Sequence, residues 1–328
     1  MKESFHSTLT GGKWWKPFLA MVVLLVITLG AYEFSMFRLD ENASPQFVGV
    51  SLLFGIVMLF AYIAVVSAFT IVLTRISAAT VAYKEKPFSF DGKVSTFVKL
   101  VLGGTALTFV TLGFYGPWFI RKYTAYMVAH VEYDGDRPQF LGKAGKLLKY
   151  GLLSLVLPVI VLMGIFIVAL MVIGAGGNNY GPQYSLNVAI STLLFEIVLF
   201  FALIPYEYLV YRWYMNISWK NRLLSWKTEF WPSVGYIAGQ LALTIVTIGI
   251  YWPAFLLRLM RYFSAKTVLT EDARELGRFG QDIPVLKGFF FIWGQTLLSI
   301  ITVGIYLPWA YANVIRFVVN GTYFDSQE

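Results

Sequence analysis

The sequence predicts an all-α, polytopic integral membrane protein of about five repeated helical hairpins, with short turns or β-hairpins on the cytoplasmic side. Three observations predict it. Of 328 residues, 58% are hydrophobic and 13% charged, about half the charged share of a soluble domain. Seven strongly apolar segments, 17–32, 47–74, 96–113, 148–174, 186–210, 233–249 and 286–304, approach or exceed the roughly 20 residues that cross a bilayer. One phrase also returns: "TLGFYGPW" at 111–118, "TIGIYWPA" at 247–254 and "TVGIYLPW" at 302–309.

The first apolar segment follows a short basic start. "ITLGAYEF" offers no small-x-small cleavage site, so it reads as an uncleaved first helix. The polar loop "EFSMFRLDENASPQ" follows, and then the long apolar return 47–74, which makes a hairpin. Segments 148–174 and 186–210, joined through "GAGGNNYGPQYS", make another. The three motif-bearing segments lack a polar loop. Their weaker continuations, 117–133, 253–269 and 308–322, read by analogy as three return helices. Fainter relatives of the motif, "TLGAY" at 28–32 and "LMGIF" at 162–166, extend the series. A single membrane domain of five units follows, at about 11–75, 90–133, 141–212, 228–269 and 285–322.

Local chemistry suits a tight tip at each motif. Gly113, Gly249 and Gly304 can take the left-handed conformation that closes a helix. Pro117, Pro253 and Pro308 are placed to begin the next helix, where a missing N–H costs nothing. Tyr115, Tyr251, Tyr306, Trp118 and Trp309 suit the headgroup layer, which is where a short backbone break belongs.

Charge supports the arrangement. With both termini inside, cytoplasmic segments hold 20 of the 26 Lys and Arg residues, and the outer loops hold only Arg38. The other five, Arg121, Lys122, Arg258, Arg261 and Arg316, fall in the return helices. A rival topology of seven spans, with the post-motif segments lying on the surface, turns the basic segment 266–287 outward. Between the hairpins, "KEKPFSFDGK" at 84–93 and "YDGDRPQFLGK" at 133–143 read either as small β-hairpins, with Asp134-Gly135 as the turn signal, or as plain polar connectors.

The phrase T-[LIV]-G-[FI]-Y-x-P-W, followed by spaced basic residues and entered through turns such as "FSFDG" at 88–92, resembles the YjgN-like family of bacterial inner-membrane proteins. The resemblance spans essentially the whole chain. Ala254 replaces the Trp in the second motif, and the 28–32 copy lacks Pro-Trp. The resemblance implies a bacterial inner-membrane location, and no function or site residue comes with it.

Candidate functional residues are the ionisable groups placed in apolar surroundings. Glu196 lies in "STLLFEIVLF", Arg258 and Arg261 share a helix face, and Arg316 follows Pro308 by the same eight residues that separate Arg261 from Pro253. Three readings apply, in this order: a buried ion pair between Glu196 and an arginine, an intramembrane site for an anionic solute, or arginines on an interfacial helix. Gln240 and Gln295, each seven residues before a motif Thr, read as helix–helix hydrogen-bonding groups. Pro158 and Pro205 mark either a midplane break or tolerated kinks.

The chain has no cysteine, and its two histidines, His6 and His130, fall in no metal-ligand pattern. No nucleophile elbow or phosphate-binding loop occurs, so neither an enzyme nor a cofactor is expected. No compact basic domain points to nucleic acid. The expected partners are the lipid bilayer and a small solute. Transport of a small, anionic solute leads the functional readings, ahead of a non-transporting scaffold or lipid-interacting protein and of a lipid-acting enzyme.

Overall fold

The computed structural model describes residues 2–37, 44–175, 181–272 and 274–327. Arg38 and residues 176–180, expected in outer loops, lie outside the described residues.

The helices are α1 (Gly11–Phe37), α2 (Pro45–Ala78), α3 (Val94–Val110), α4 (Gly116–Ala129), α5 (Ala144–Gly151), α6 (Leu157–Ala175), α7 (Pro182–Tyr214), α8 (Phe230–Val246), α9 (Trp252–Lys266), α10 (Val285–Ile301) and α11 (Leu307–Asn320). A π-helical turn, Leu152–Val156, joins α5 to α6. It precedes Pro158, whose missing N–H removes one helical hydrogen bond. Pro205 sits inside an unbroken α7. Neither proline opens a midplane break. Counting α5–α6 as one, ten helical rods follow one another as five hairpins among the described residues.

The hairpins come in two lengths, and this corrects the expectation of seven apolar spans plus three return helices. Only α1, α2, the joined α5–α6 and α7 are long and apolar enough to cross a membrane among the described residues. Helices α3, α8 and α10 have 17 residues each, about 25 Å. Hydropathy counted residues up to and through the turn, whereas crossing depends on uninterrupted rise. The weak copies at 28–32 and 162–166 make no turn at all and lie within α1 and α6.

The larger departure from an all-α fold is a strand layer. Its strands are β1 (Lys2–Ser7), β2 (Val81–Tyr83), β3 (Lys86–Pro87), β4 (Ser89–Phe90), β5 (Val131–Glu132), β6 (Gln139–Phe140), β7 (Ile217–Trp219), β8 (Arg222–Trp226), β9 (Thr267–Glu271), β10 (Arg274–Gln281) and β11 (Thr322–Ser326). Nine form an antiparallel sheet in the order β3-β2-β1-β11-β10-β9-β8-β7-β6, and β4 pairs with β5. Phe88 alone separates β3 from β4, and Tyr133 and Asp136 exchange both backbone hydrogen bonds between β5 and the lead into β6. Chain connections at Phe88 and through the Tyr133–Asp136 turn thus link the small sheet to both ends of the large one, and β1 pairs with β11.

The hairpin turns explain how so little sequence makes strands. Lys84-Glu85, Asp134-Gly135 and Lys220-Asn221 each hold two successive positive φ values, the type I′ geometry that suits strand twist. Only the Asp-Gly pair announces this in sequence. An aromatic seam ties the layer together: Trp219 meets Tyr133, Tyr133 stacks on Phe88, and Phe5 stacks on Tyr83 and Phe279.

Burial follows the same ring. Each hairpin's second helix packs against the first helix of the next, and α11 packs against α1. The core is correspondingly divided into junction clusters, such as Ile71, Phe90, Phe97 and Val101 between α2 and α3, and Phe140, Leu147 and Trp213 where α4 meets α5 and α7. Burying a side chain such as Phe97 contributes about 2–3 kcal/mol. The accessible surface is 19429 Å², against about 13,600 Å² for a compact soluble monomer of this mass. The upper parts of the long hairpins account for much of the excess, with exposed leucine, valine, isoleucine and phenylalanine along α1, α2, α6 and α7.

Candidate functional site

The three motif turns close in the same way, beginning with a threonine. Thr111 ends α3; its hydroxyl donates to the Leu107 carbonyl (2.7 Å) and accepts the Tyr115 amide (2.9 Å). The Gly113 amide reaches back to the Thr108 carbonyl and the Leu112 amide to Phe109, the paired bonds of a Schellman cap. Thr247 and Thr302 repeat every one of these bonds with their own neighbours. From the threonine to the residue before proline, each backbone amide in the three turns has an acceptor.

The glycines do take positive φ, 90° at Gly113, 81° at Gly249 and 85° at Gly304. The residue before each is left-handed as well: Leu112, Ile248 and Val303 at 49°, 50° and 50°. A branched side chain there costs roughly 1–2 kcal/mol. These apex side chains are 96%, 91% and 91% exposed, and Phe114, Ile250 and Ile305 beside them are exposed too. At each apex the residues standing outermost are aliphatic rather than the motif's tyrosine and tryptophan. Pro117, Pro253 and Pro308 do open the return helices, with Pro253 and Pro308 fully buried.

The tyrosines turn inward to polar partners one or two helical turns below the tip. Tyr251 donates to Gln240 Oε1 at 2.7 Å, and Tyr306 to Gln295 Oε1 at 3.2 Å. In the second hairpin Gly104 takes the glutamine's place, and a Cβ there would lie 2.1 Å from the Phe119 ring. Tyr115 instead accepts a hydrogen bond from Lys122 Nζ at 2.8 Å. Five residues past each proline stand Lys122, Arg258 and Asn313. Arg258 lies 5.5 Å from the Tyr251 ring centre and Asn313 donates to Gln295 and the Tyr306 hydroxyl. Trp118 and Trp309 lie beside the tyrosines of their own turns.

The remaining arginines divide into clamps and a cleft. Arg75 donates to the Gly92 carbonyl at 2.8 Å, Arg121 to Gly142 at 3.0 Å, and Arg261 to Ile283. Each acceptor stands two residues before the next helix begins. At the corresponding place Tyr208 meets Thr228 Oγ1 at 2.7 Å. These side chains join one hairpin's return helix to the next hairpin's entry. Arg316 donates to Asn313 Oδ1 at 3.1 Å and faces a cleft of about 360 Å³ that also holds Asp282, Lys287 and Asn320.

Glu196 stands apart from all of these. It is exposed on α7, and no ion pair joins it to Arg258, Arg261 or Arg316 among the described residues. The expected buried pair is absent there, and the cleft at Arg316 takes in none of Glu196, Arg258 or Arg261. The strand layer carries the ion pairs instead. Glu275 accepts from Arg278 and from Lys227 (2.7 Å), which hold its carboxyl below the usual carboxylate range. Glu3 is held low by Lys84 and then by Tyr83, while burial, followed by Glu3, pushes the Tyr83 hydroxyl up.

Sequence reading missed the apex residues, Lys122 as a tyrosine partner, and the clamps. The second phenylalanine of "FSFDG" was a usable signal. Phe90 and Phe140 are buried wedges whose rings fill the space where a Cβ on Gly92 or Gly142 would sit.

A family model described as a bacterial protein of unknown function (DUF898) matches residues 2–281, from the first residue of β1 to the last of β10. No curated protein and no solved structure matches the chain.

Proposed function

We propose, for a chain that belongs to the DUF898 family of bacterial proteins of unknown function, a role as a non-transporting, lipid-interacting scaffold of the inner membrane. Two long hairpins anchor it. The strand layer, which carries the basic connections, lies on the cytoplasmic side and holds three short hairpins against the bilayer.

One observation carries this reading: each short hairpin exposes an aliphatic apex while satisfying its own amides. An exposed irregular turn normally ends in polar residues that bind water. Here the chain accepts backbone strain at Leu112, Ile248 and Val303 to present hydrocarbon, and an environment of lipid offsets that cost. The charge distribution fits equally well, because a hairpin returns the chain to its starting side whether or not it crosses.

Solute transport through Glu196, Arg258, Arg261 and Arg316 has less support. Arg261 is spent on a backbone carbonyl, Arg316 opens on a cleft at the strand end of its hairpin, and Glu196 meets neither. The cysteine-free chain allows a direct test. Single Leu112→Cys, Ile248→Cys and Val303→Cys variants in native membranes should react slowly with an impermeant maleimide added from either side, and readily with a membrane-permeant one. Rapid impermeant labelling from the cytoplasmic side would overturn the lipid reading. Labelling from the outer side would favour ten spans.

A further inference from the structure

We infer that the second and fourth of the five hairpins read the headgroups of the near leaflet, with Lys122 and Arg258 as contacts for anionic phospholipid. This rests on the lipid-facing reading of the tips. Depth comes from helix lengths. Arg75 ties the base of α2 to the turn before α3, so the two helices rise from one level. Helix α2, with 34 residues, rises about 51 Å, and α3, with 17, about 25 Å. When α2 reaches the far edge of a hydrocarbon core about 30 Å thick, the α3 tip lies about 5 Å inside the near edge. Tyr208 and Thr228 join α7 and α8, of 33 and 17 residues, in the same way.

Position along the return helix then sets what meets the phosphates. Lys122 is six residues into α4 from Gly116, and Arg258 six into α9 from Trp252, about 9 Å below the start of each helix. Both are exposed, and neither has a carboxylate partner among the described residues. Each is braced by its own tip tyrosine, through the 2.8 Å hydrogen bond at Tyr115 and the ring of Tyr251. Apolar apex, aromatic residue and cation thus follow in the order in which a leaflet presents acyl chain, interface and phosphate. Arg121, the residue before Lys122, and Arg261, one turn beyond Arg258, are occupied by backbone carbonyls and do not compete. The last hairpin has Asn313 at this position, so it dips without the cation.

Purified full-length protein in phosphatidylcholine vesicles doped with nitroxide-labelled phosphatidylglycerol or phosphatidylcholine tests this by electron spin resonance. The anionic probe should associate more strongly, and Lys122→Gln or Arg258→Gln should each lower its relative association by about fivefold. Lys122→Arg and Arg258→Lys should keep it, which separates charge from folding. Equal association of both probes with the unaltered chain, while tip cysteines remain shielded, overturns headgroup recognition and leaves the lipid-facing tips standing. Preference that survives both glutamine variants overturns the assignment to these residues. Water-exposed tip cysteines sink both proposals together.

Discussion

The Thr111 hydroxyl accepts the amide hydrogen of Tyr115 across the apex of the second hairpin, at 2.9 Å. That bond leaves the amide satisfied without water, and the same pair recurs as Thr247 with Tyr251 and Thr302 with Tyr306. The threonine that opens the motif is therefore the acceptor that satisfies the amide of a broken helix from within the turn.

Replacing Thr111, Thr247 or Thr302 by valine keeps the shape and removes the acceptor. Each substitution should cost about 1–3 kcal/mol, read as a lower unfolding temperature in lipid nanodiscs. The serine variants should stay close to the unaltered protein. Equal losses for valine and serine would point to packing.

Ile248→Gly should raise thermal stability in detergent by about 1 kcal/mol, because glycine takes the left-handed conformation freely. The same variant should lose shielding of the tip in vesicles. A tip that is destabilised in detergent and unchanged in lipid contradicts the trade proposed here.

Gly142→Ala places a Cβ 2.3 Å from the Phe140 ring and 2.8 Å from Trp213. Both rings are buried, so the third entry should loosen at a cost of about 1–3 kcal/mol. Faster hydrogen exchange across β6 and β7 checks it. Gly145→Ala, where a Cβ meets open space, is the control.

Glu275 has its pKa lowered by Arg278 and Lys227. A lowered carboxylate contributes stability above its unfolded value, and that contribution is lost as pH falls through the folded value. With the intrinsic pH dependence of exchange divided out, the protection of the β10 amides should therefore be flat near neutrality and fall at acidic pH. Glu275→Gln should remove the acid-side dependence. An unchanged pH profile in that variant assigns the effect elsewhere.

Glu196→Gln should leave folding and insertion intact, since the carboxylate has no partner among the described residues. Failure of the variant to insert would reveal one. Retention of the fold with altered ion flux in vesicles would revive the transport reading.

Much of the helical order is legible in the sequence. The apolar segments, the three turns and the weaker return helices appear as five successive hairpins, and the buried prolines and positive-φ glycines occupy the places their chemistry predicts. The strand layer is not legible, because its strands are two to eight residues long and, among the described residues, two type I′ turns use Lys-Glu and Lys-Asn. Those dipeptides carry no turn preference strong enough to notice. The arginines show the same limit. Arg261 and Arg316 share a spacing from proline, yet one clamps a carbonyl across a junction and the other faces a cleft.

By itself the sequence determined the apolar, helical character of the chain, the end of the hairpins at which the basic connections gather and the residues that break each short hairpin, because composition, charge and backbone preference act locally. Tertiary structure decided which helices are long enough to cross, which arginines are spent on backbone and which side chains stand at the apex. Those depend on uninterrupted rise and on neighbours brought together by strand pairing between the two ends of the chain, and neither distance is written in any short stretch of residues.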